Sequence, residues 1–272
     1  MAPANRDSAR SWTATGGSLL LSAPLLVLIV GAIAALFLGT SPGEVGRQLS
    51  DPSARDALWL SLKTTLVSLA AVVVFGSGLA LAIYRAPAWL AGAIEVLVTL
   101  PAIMPPSVAG IALLLAFGRQ GLLGSHFDAL GIRIAFTPAA VVMAQSFVAT
   151  PFFVRELANG LKAVDPETLE AARIDGAGPV RIAASILLPV SLPFLIGGAV
   201  LAWARSVGEF GATILFAGNL PGVTQTVPLA IYLGFESNLE QAKALAIALM
   251  LAAIVVLVAL RIALRRKMAF AH

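Results

Sequence analysis

The chain has 272 residues, of which 59% are hydrophobic and only 12% charged, with a formal net charge of +4 and a mean hydropathy of +0.93. So few charges cannot clothe a water-exposed surface, which excludes a soluble protein and describes one that lives in a membrane. The absence of cysteine excludes disulfides, thiolate nucleophiles and cysteine metal sites. The two histidines, His126 and His272, have no ligand partner at helical spacing, so no metal site is expected.

A helix needs about 20 mostly apolar residues to cross the hydrocarbon core. Charge-free runs of that length predict six transmembrane helices, near 18–39, 60–84, 93–117, 136–158, 190–216 and 240–262. Their length and Leu, Ala and Val content fit helices; barrel strands would alternate and be about half as long. Arg6 and Arg10 precede the first run as they would in a signal peptide. The run is too long for that and lacks a small-x-small cleavage site, so it reads as a retained helix. In the third run, Pro101, Pro105 and Pro106 predict a break near its cytoplasmic start, a kink or a gate. Met104 between them is either a flexible constriction or a packing filler.

Beyond the fourth run comes a polar segment. Asp165 followed by Pro166 is a helix start, because Asp accepts free backbone N–H groups and Pro at the first position loses no needed donor. Glu167 suits the first turn. The helix is expected through Ile174, with Gly176 as the left-handed residue that ends it, giving a rod of about 15 Å. Gly178 and Pro179 break the chain again before a second helix carrying Ile182, Ile186 and Leu187 toward Pro189. Small Ala171 and Ala172 would let a partner's backbone come close; the alternative is an amphipathic linker lying on the membrane surface.

In the fifth run, Arg205 and Glu209 stand four residues apart, on one helical face if the helix continues, and can pair. Charged groups inside a membrane are functional candidates by default. A gate role and a purely structural ion pair both remain open. Between Glu209 and Glu236, "GNLPGVTQTVP" reads as a loop. With the N-terminus inside, the cytoplasmic segments hold Arg6, Arg10, Arg85, Arg155, Lys162, Arg173, Arg181, Arg261, Arg265, Arg266 and Lys267. The positive-inside rule then places both termini and the polar segment in the cytoplasm. These flanking cations account for the net charge without nucleic acid.

The polar segment resembles the EAA signature of permease subunits of binding-protein-dependent ABC importers: Glu-Ala-Ala, three residues, Gly, nine residues, Ile, one residue, Leu-Pro. Glu170, Ala171, Ala172, Gly176, Ile186, Leu188 and Pro189 fill it without departure. The resemblance implies an all-α membrane protein of the type I importer fold, with this segment as a coupling helix that sits in a cleft of an ATP-binding subunit. It implies an organisation of N-terminal tail, first helix and outer loop (1–56), permease core (57–262, with the EAA loop at about 163–189) and basic cytoplasmic tail (263–272). "LPAIMPPSVAGIALLLAFGRQGLLG" (100–124) and "SVGEFGATILFAGNLPGVTQTVPLAIY" (206–232) are similar to the molybdate, tungstate and sulfate branch, and most like the molybdate type.

The implied partners are two ATP-binding subunits, an extracytoplasmic oxoanion-binding protein and a second copy of the chain, in a bacterial inner membrane. There is no GxxxxGK[ST], so ATP and Mg would be used by the partner and this chain would be no enzyme and hold no cofactor. An ion-coupled carrier is disfavoured because no two interrupted helices pair as inverted repeats. A membrane enzyme lacks its Ser/His pair or HExxH. Met104, Pro105, Ser107, Arg205, Ser206, Glu209 and Thr213 are the candidate pathway or gate residues, although small residues serve close helix packing equally well.

Overall fold

Proline marks where most of the helices begin. A computed structural model describes the backbone of residues 6–269 and the side chains of residues 21–259, and the described elements are all helical. In chain order they are α1 (Arg6–Leu38), α2 (Pro42–Leu49), α3 (Pro52–Arg85), α4 (Ala88–Ile103), α5 (Pro106–Phe117), α6 (Gly124–Ala129), α7 (Pro138–Lys162), α8 (Pro166–Ile174), α9 (Pro179–Ile182), a π turn (Ala183–Leu187), α10 (Leu188–Val207), α11 (Gly211–Phe216), α12 (Val227–Ser237) and α13 (Leu239–Ala269). Pro52, Pro106, Pro138, Pro166 and Pro179 all occupy a first turn, where the missing N–H has no helical acceptor to lose.

The centre is a three-helix unit of α3, α7 and α10. Ala80, Ala149, Phe153, Val154 and Ala202 are sealed between these helices, and glycines bring the backbones together. A Cβ on Gly160 would stand 2.6 Å from the Phe194 side chain. A second cluster joins α5, α7 and α11 through Ala109, Leu113, Val141, Val148, Ala212 and Phe216. A third, of Ala54, Ala57, Val227 and Leu245, ties the start of α3 to α12 and α13. The segment Leu21–Leu38 of α1 buries none of its side chains, as expected of a helix that is apolar all round and faces lipid.

Two predicted spans are built differently. The third run is not one rod: the chain bends by 114° between α4 and α5. Met104 and Pro105 are both extended (φ −63°, ψ 136° and φ −54°, ψ 136°), because the residue before a proline is steered away from the helical region. The break therefore comes at the end of α4, about 24 Å along it, and not near the start of the span. The fifth helix stops at Val207 instead of running to 216, and α11 resumes after a three-residue gap. The stretch expected to be a loop, 218–228, is non-helical up to Thr226, and α12 starts at its last two residues. Of the basic tail, 263–269 continues the backbone of α13, and residues 270–272 lie outside the described residues, as do the side chains of Arg6, Arg10 and Arg261.

Candidate functional site

Two places gather the residues singled out from the sequence, at opposite ends of the central unit. At the first, the Asp165 carboxylate accepts the Glu167 N–H at 3.0 Å and starts α8. Gly176 ends it with φ +77°, a conformation that L side chains rarely adopt. The Gly176 N–H donates to Arg173 O (3.0 Å) and the Ala177 N–H to Ala172 O (2.9 Å). This is the two-bond Schellman closure, and it satisfies carbonyls that the helix end leaves free. Leu169, Ala172, Ala177, Ile182 and Leu187 seat the segment on the core beneath α3 and α7.

The signature residues thereby divide. Glu170 and Ala171 face outward, and Leu188 and Pro189 are exposed at the start of α10. Ala172 and Ile186 pack against this chain's own core, so Ala172 is a seat and not a place of close approach for a partner. The π turn lies directly before Pro189; a proline there cannot donate to the carbonyl four residues back and crowds it, and a wider turn relieves both. The exposure of two apolar side chains was not read from the sequence: Ile174 and Val180 are 86% and 83% exposed. The signal was there, since Leu169 and Ala172 already supply the inward stripe of a short helix and Ile174 falls outside it. Arg85 of α3 and Arg173 of α8 line one cavity of about 540 Å³ at this joint. Beside it, Lys162 of α7 pairs with Glu95 of α4 at 2.7 Å.

At the second place the two broken helices meet. Gly211 faces Pro106, where a Cβ would come within 2.5 Å of the proline Cβ, and Gly110 faces the Ala212 carbonyl and Leu215. Arg205 and Glu209 do pair, Nη1 to Oε2 at 2.6 Å, but across the end of α10 and not along a continuous helix. The other carboxylate oxygen accepts the Ala212 N–H at 2.7 Å and so caps the first turn of α11. Glu209 is 1% exposed and Arg205 29%. Phe210 packs against Tyr232 of α12 with ring centroids 5.2 Å apart and the rings tilted by 50°.

Below this lies a hydroxyl cluster spanning the three central helices. Ser146 Oγ donates to Ser68 Oγ at 3.1 Å, and Ser206 Oγ lies 3.5 Å from both Ser68 Oγ and the Gln145 carbonyl. By helical rise, Ser68 is about 25 Å along α3 from Arg85. Ser206 and Thr213 are thus enclosed within the protomer, whereas Pro105 and Ser107 are exposed and Met104 is partly covered. Among the described residues no group of acidic and histidine side chains is arranged to hold a metal ion.

Comparison with known proteins gives this geometry a context. Residues 72–267 match the family described as "Binding-protein-dependent transport system inner membrane component". The molybdenum transport system permease protein ModB of Mycobacterium tuberculosis is 44% identical over 210 residues, 77% of this chain and 80% of that protein. The probable transport system permease protein NifC of Clostridium pasteurianum is 35% identical over 248 residues, 91% of this chain and 87% of that protein. Among solved structures, a bacterial alginate ABC transporter in complex with a pentasaccharide-bound periplasmic protein aligns with a TM-score of 0.76 at 17% identity, over 96% of this chain and 97% of that one, a likeness of fold.

Proposed function

Because this chain belongs to the family of inner membrane components of binding-protein-dependent transport systems, we propose that it is the permease subunit of an ATP-driven importer that moves molybdate into the cytoplasm. The observation that carries this reading is α8: a short helix, capped at both ends and seated on the core, that turns Glu170, Ala171 and Ile174 outward on the residues of the EAA signature. A named relative that shares 44% of its residues over most of its length is a molybdenum permease, which supports the choice of anion.

In this reading two copies related by a two-fold axis along the membrane normal enclose the path at their seam. Both termini lie in the cytoplasm. Each copy docks α8 in a cleft of one ATP-binding subunit, which supplies all nucleotide and Mg chemistry. Closure of those subunits draws α8 inward, and its seat on Leu169, Ile182 and Leu187 passes the motion to α3, α7 and α10. The inner gate shuts and the outer one opens to a loaded oxoanion-binding protein. The broken ends of α4 and α10 suit a gate, with Met104, Pro105, Ser107 and the part of Arg205 that reaches the surface facing the path. Glu209, Ser206 and Thr213 hold those surfaces in place from behind. Few fixed cations are needed, since an anion held tightly would be released slowly and selection can rest with the external protein.

The test is uptake by the whole importer in proteoliposomes with labelled molybdate in competition with tungstate and sulfate. Molybdate uptake that depends on ATP and resists a large excess of sulfate is expected. Uptake that sulfate suppresses at equal concentration would reassign the substrate to the sulfate branch.

A further inference from the structure

An apolar groove runs along the outside of the bundle between α3, α10 and α13, at the end of α3 away from the coupling segment. It has a volume of about 400 Å³, and its walls include Leu58, Trp59, Leu62, Trp203, Leu249 and Ala252. The hydroxyls at its floor are already committed. Ser61 Oγ accepts the Val227 N–H at 2.7 Å, and Thr65 Oγ1 donates to Ser61 O at 2.7 Å. The floor therefore offers a hydrophilic solute few groups to bond, while an alkyl chain leaves these backbone contacts intact.

One charged side chain, Arg55, lines the groove at its end. Neither neighbouring acid neutralises it. Asp51 accepts the backbone N–H and the hydroxyl of Ser53 on the one oxygen Oδ1, at 2.9 and 2.6 Å, and makes no ion pair with Arg55. Asp56 follows by one position, about 100° round the helix, and successive residues do not face each other. Trp59, 67% exposed, stands near the same end, as aromatic rings do at headgroup depth. A cation and an aromatic ring at one end, above a dry apolar channel, match an amphiphile with an anionic head and a long tail.

We propose that this groove is a phospholipid site, in which one acyl chain lies along α3 and α10 and the phosphate is held by Arg55. Trp203 and Val207 belong to the last turns of α10, just before the break at Gly208, so a bound chain braces the segment that carries Arg205. Lipid would then act on the same gate region as the transported anion.

The four tryptophans make the test direct. Trp12→Phe with Trp89→Phe leaves Trp59 and Trp203 as reporters in the full chain, purified in detergent. Phosphatidylglycerol brominated on its acyl chains is titrated in, beside the brominated methyl ester of the same fatty acid. Saturable quenching at about one lipid per chain is expected, and about tenfold weaker binding both of the ester and of the phospholipid to Arg55→Ala, the loss of one charge-assisted hydrogen bond. Ala248→Phe, which sets a ring into the groove from α13, abolishes the saturable component. Quenching that never saturates, or equal affinity for ester and phospholipid, overturns the proposal. In this cysteine-free chain, a disulfide that forms readily between Leu62→Cys in one copy and Leu28→Cys in another also overturns it, by showing that a helix fills the groove.

Discussion

With 1% of its side chain exposed, Glu209 commits one carboxylate oxygen to Arg205 and the other to the Ala212 N–H, so no part of its charge is left to solvent. Removing it strands two groups at once, a guanidinium that is still 29% exposed and a buried backbone donor. Glu209→Ala is expected to destabilise the protein by about 3 kcal/mol, read as a lower melting temperature of the purified importer. Glu209→Gln, which keeps an acceptor for Ala212, should fall between the two. Equal melting of all three would mean that the pair contributes nothing to holding the break. At Gly211 the constraint is steric. An added methyl would meet the Pro106 Cβ at 2.5 Å, and the atom it meets belongs to a ring that cannot rotate away. Gly211→Ala should therefore cost about 1–3 kcal/mol by pushing α11 off α5. An unchanged melting curve would show that these helices slide past one another freely.

Helix α8 was legible in the sequence to the residue, since both its start (Asp165-Pro166) and its stop (Gly176) are local chemical signals. The bend between α4 and α5 was legible only in part. Pro105 and Pro106 announce a break, but its angle depends on α5 finding α11 through Gly110 and Gly211, a contact between positions about a hundred residues apart in the chain. The stop of α10 at Val207 carries no proline, and an apolar run with a paired Arg and Glu looks like a continuing helix until Glu209 is seen to cap the next one. Helix α12 was hidden by its length: 11 residues, preceded by Gly and Pro, fall short of any span. The outward face of α8 carries the prediction at this scale. Glu170→Lys and Ile174→Asp are each expected to lower substrate-stimulated ATP hydrolysis and uptake at least tenfold while the chain still inserts and folds, because neither side chain packs inward. Full coupling in both variants would remove α8 from the ATPase interface.

At the scale of the molecule, α3, α7 and α10 form a stiff middle with the capped helix α8 at one end and two broken helices at the other. Close-packed interiors of this kind shift as units, so motion imposed at Leu169 and Leu187 reaches the far end without first being absorbed. The Glu95–Lys162 pair adds little to this stiffness, since both side chains are about half exposed and such pairs are worth under about 1 kcal/mol. Helix α1, with no buried side chain between Leu21 and Leu38, stands outside the unit and is free to be covered by lipid or by a second copy.

The double proline after Met104 has one more effect. Two successive residues without an N–H remove the donors that the carbonyls of Pro101 and Ala102 would meet in an unbroken helix. Bare carbonyls in a greasy setting turn to water, so the elbow of α4 and α5 is expected to be hydrated. Hydroxyl-radical footprinting is then expected to oxidise Met104 well ahead of Met143 and Met250; equal rates would mean a dry elbow. A solute that must shed its hydration to cross would find, at this one level, solvent waiting to receive it.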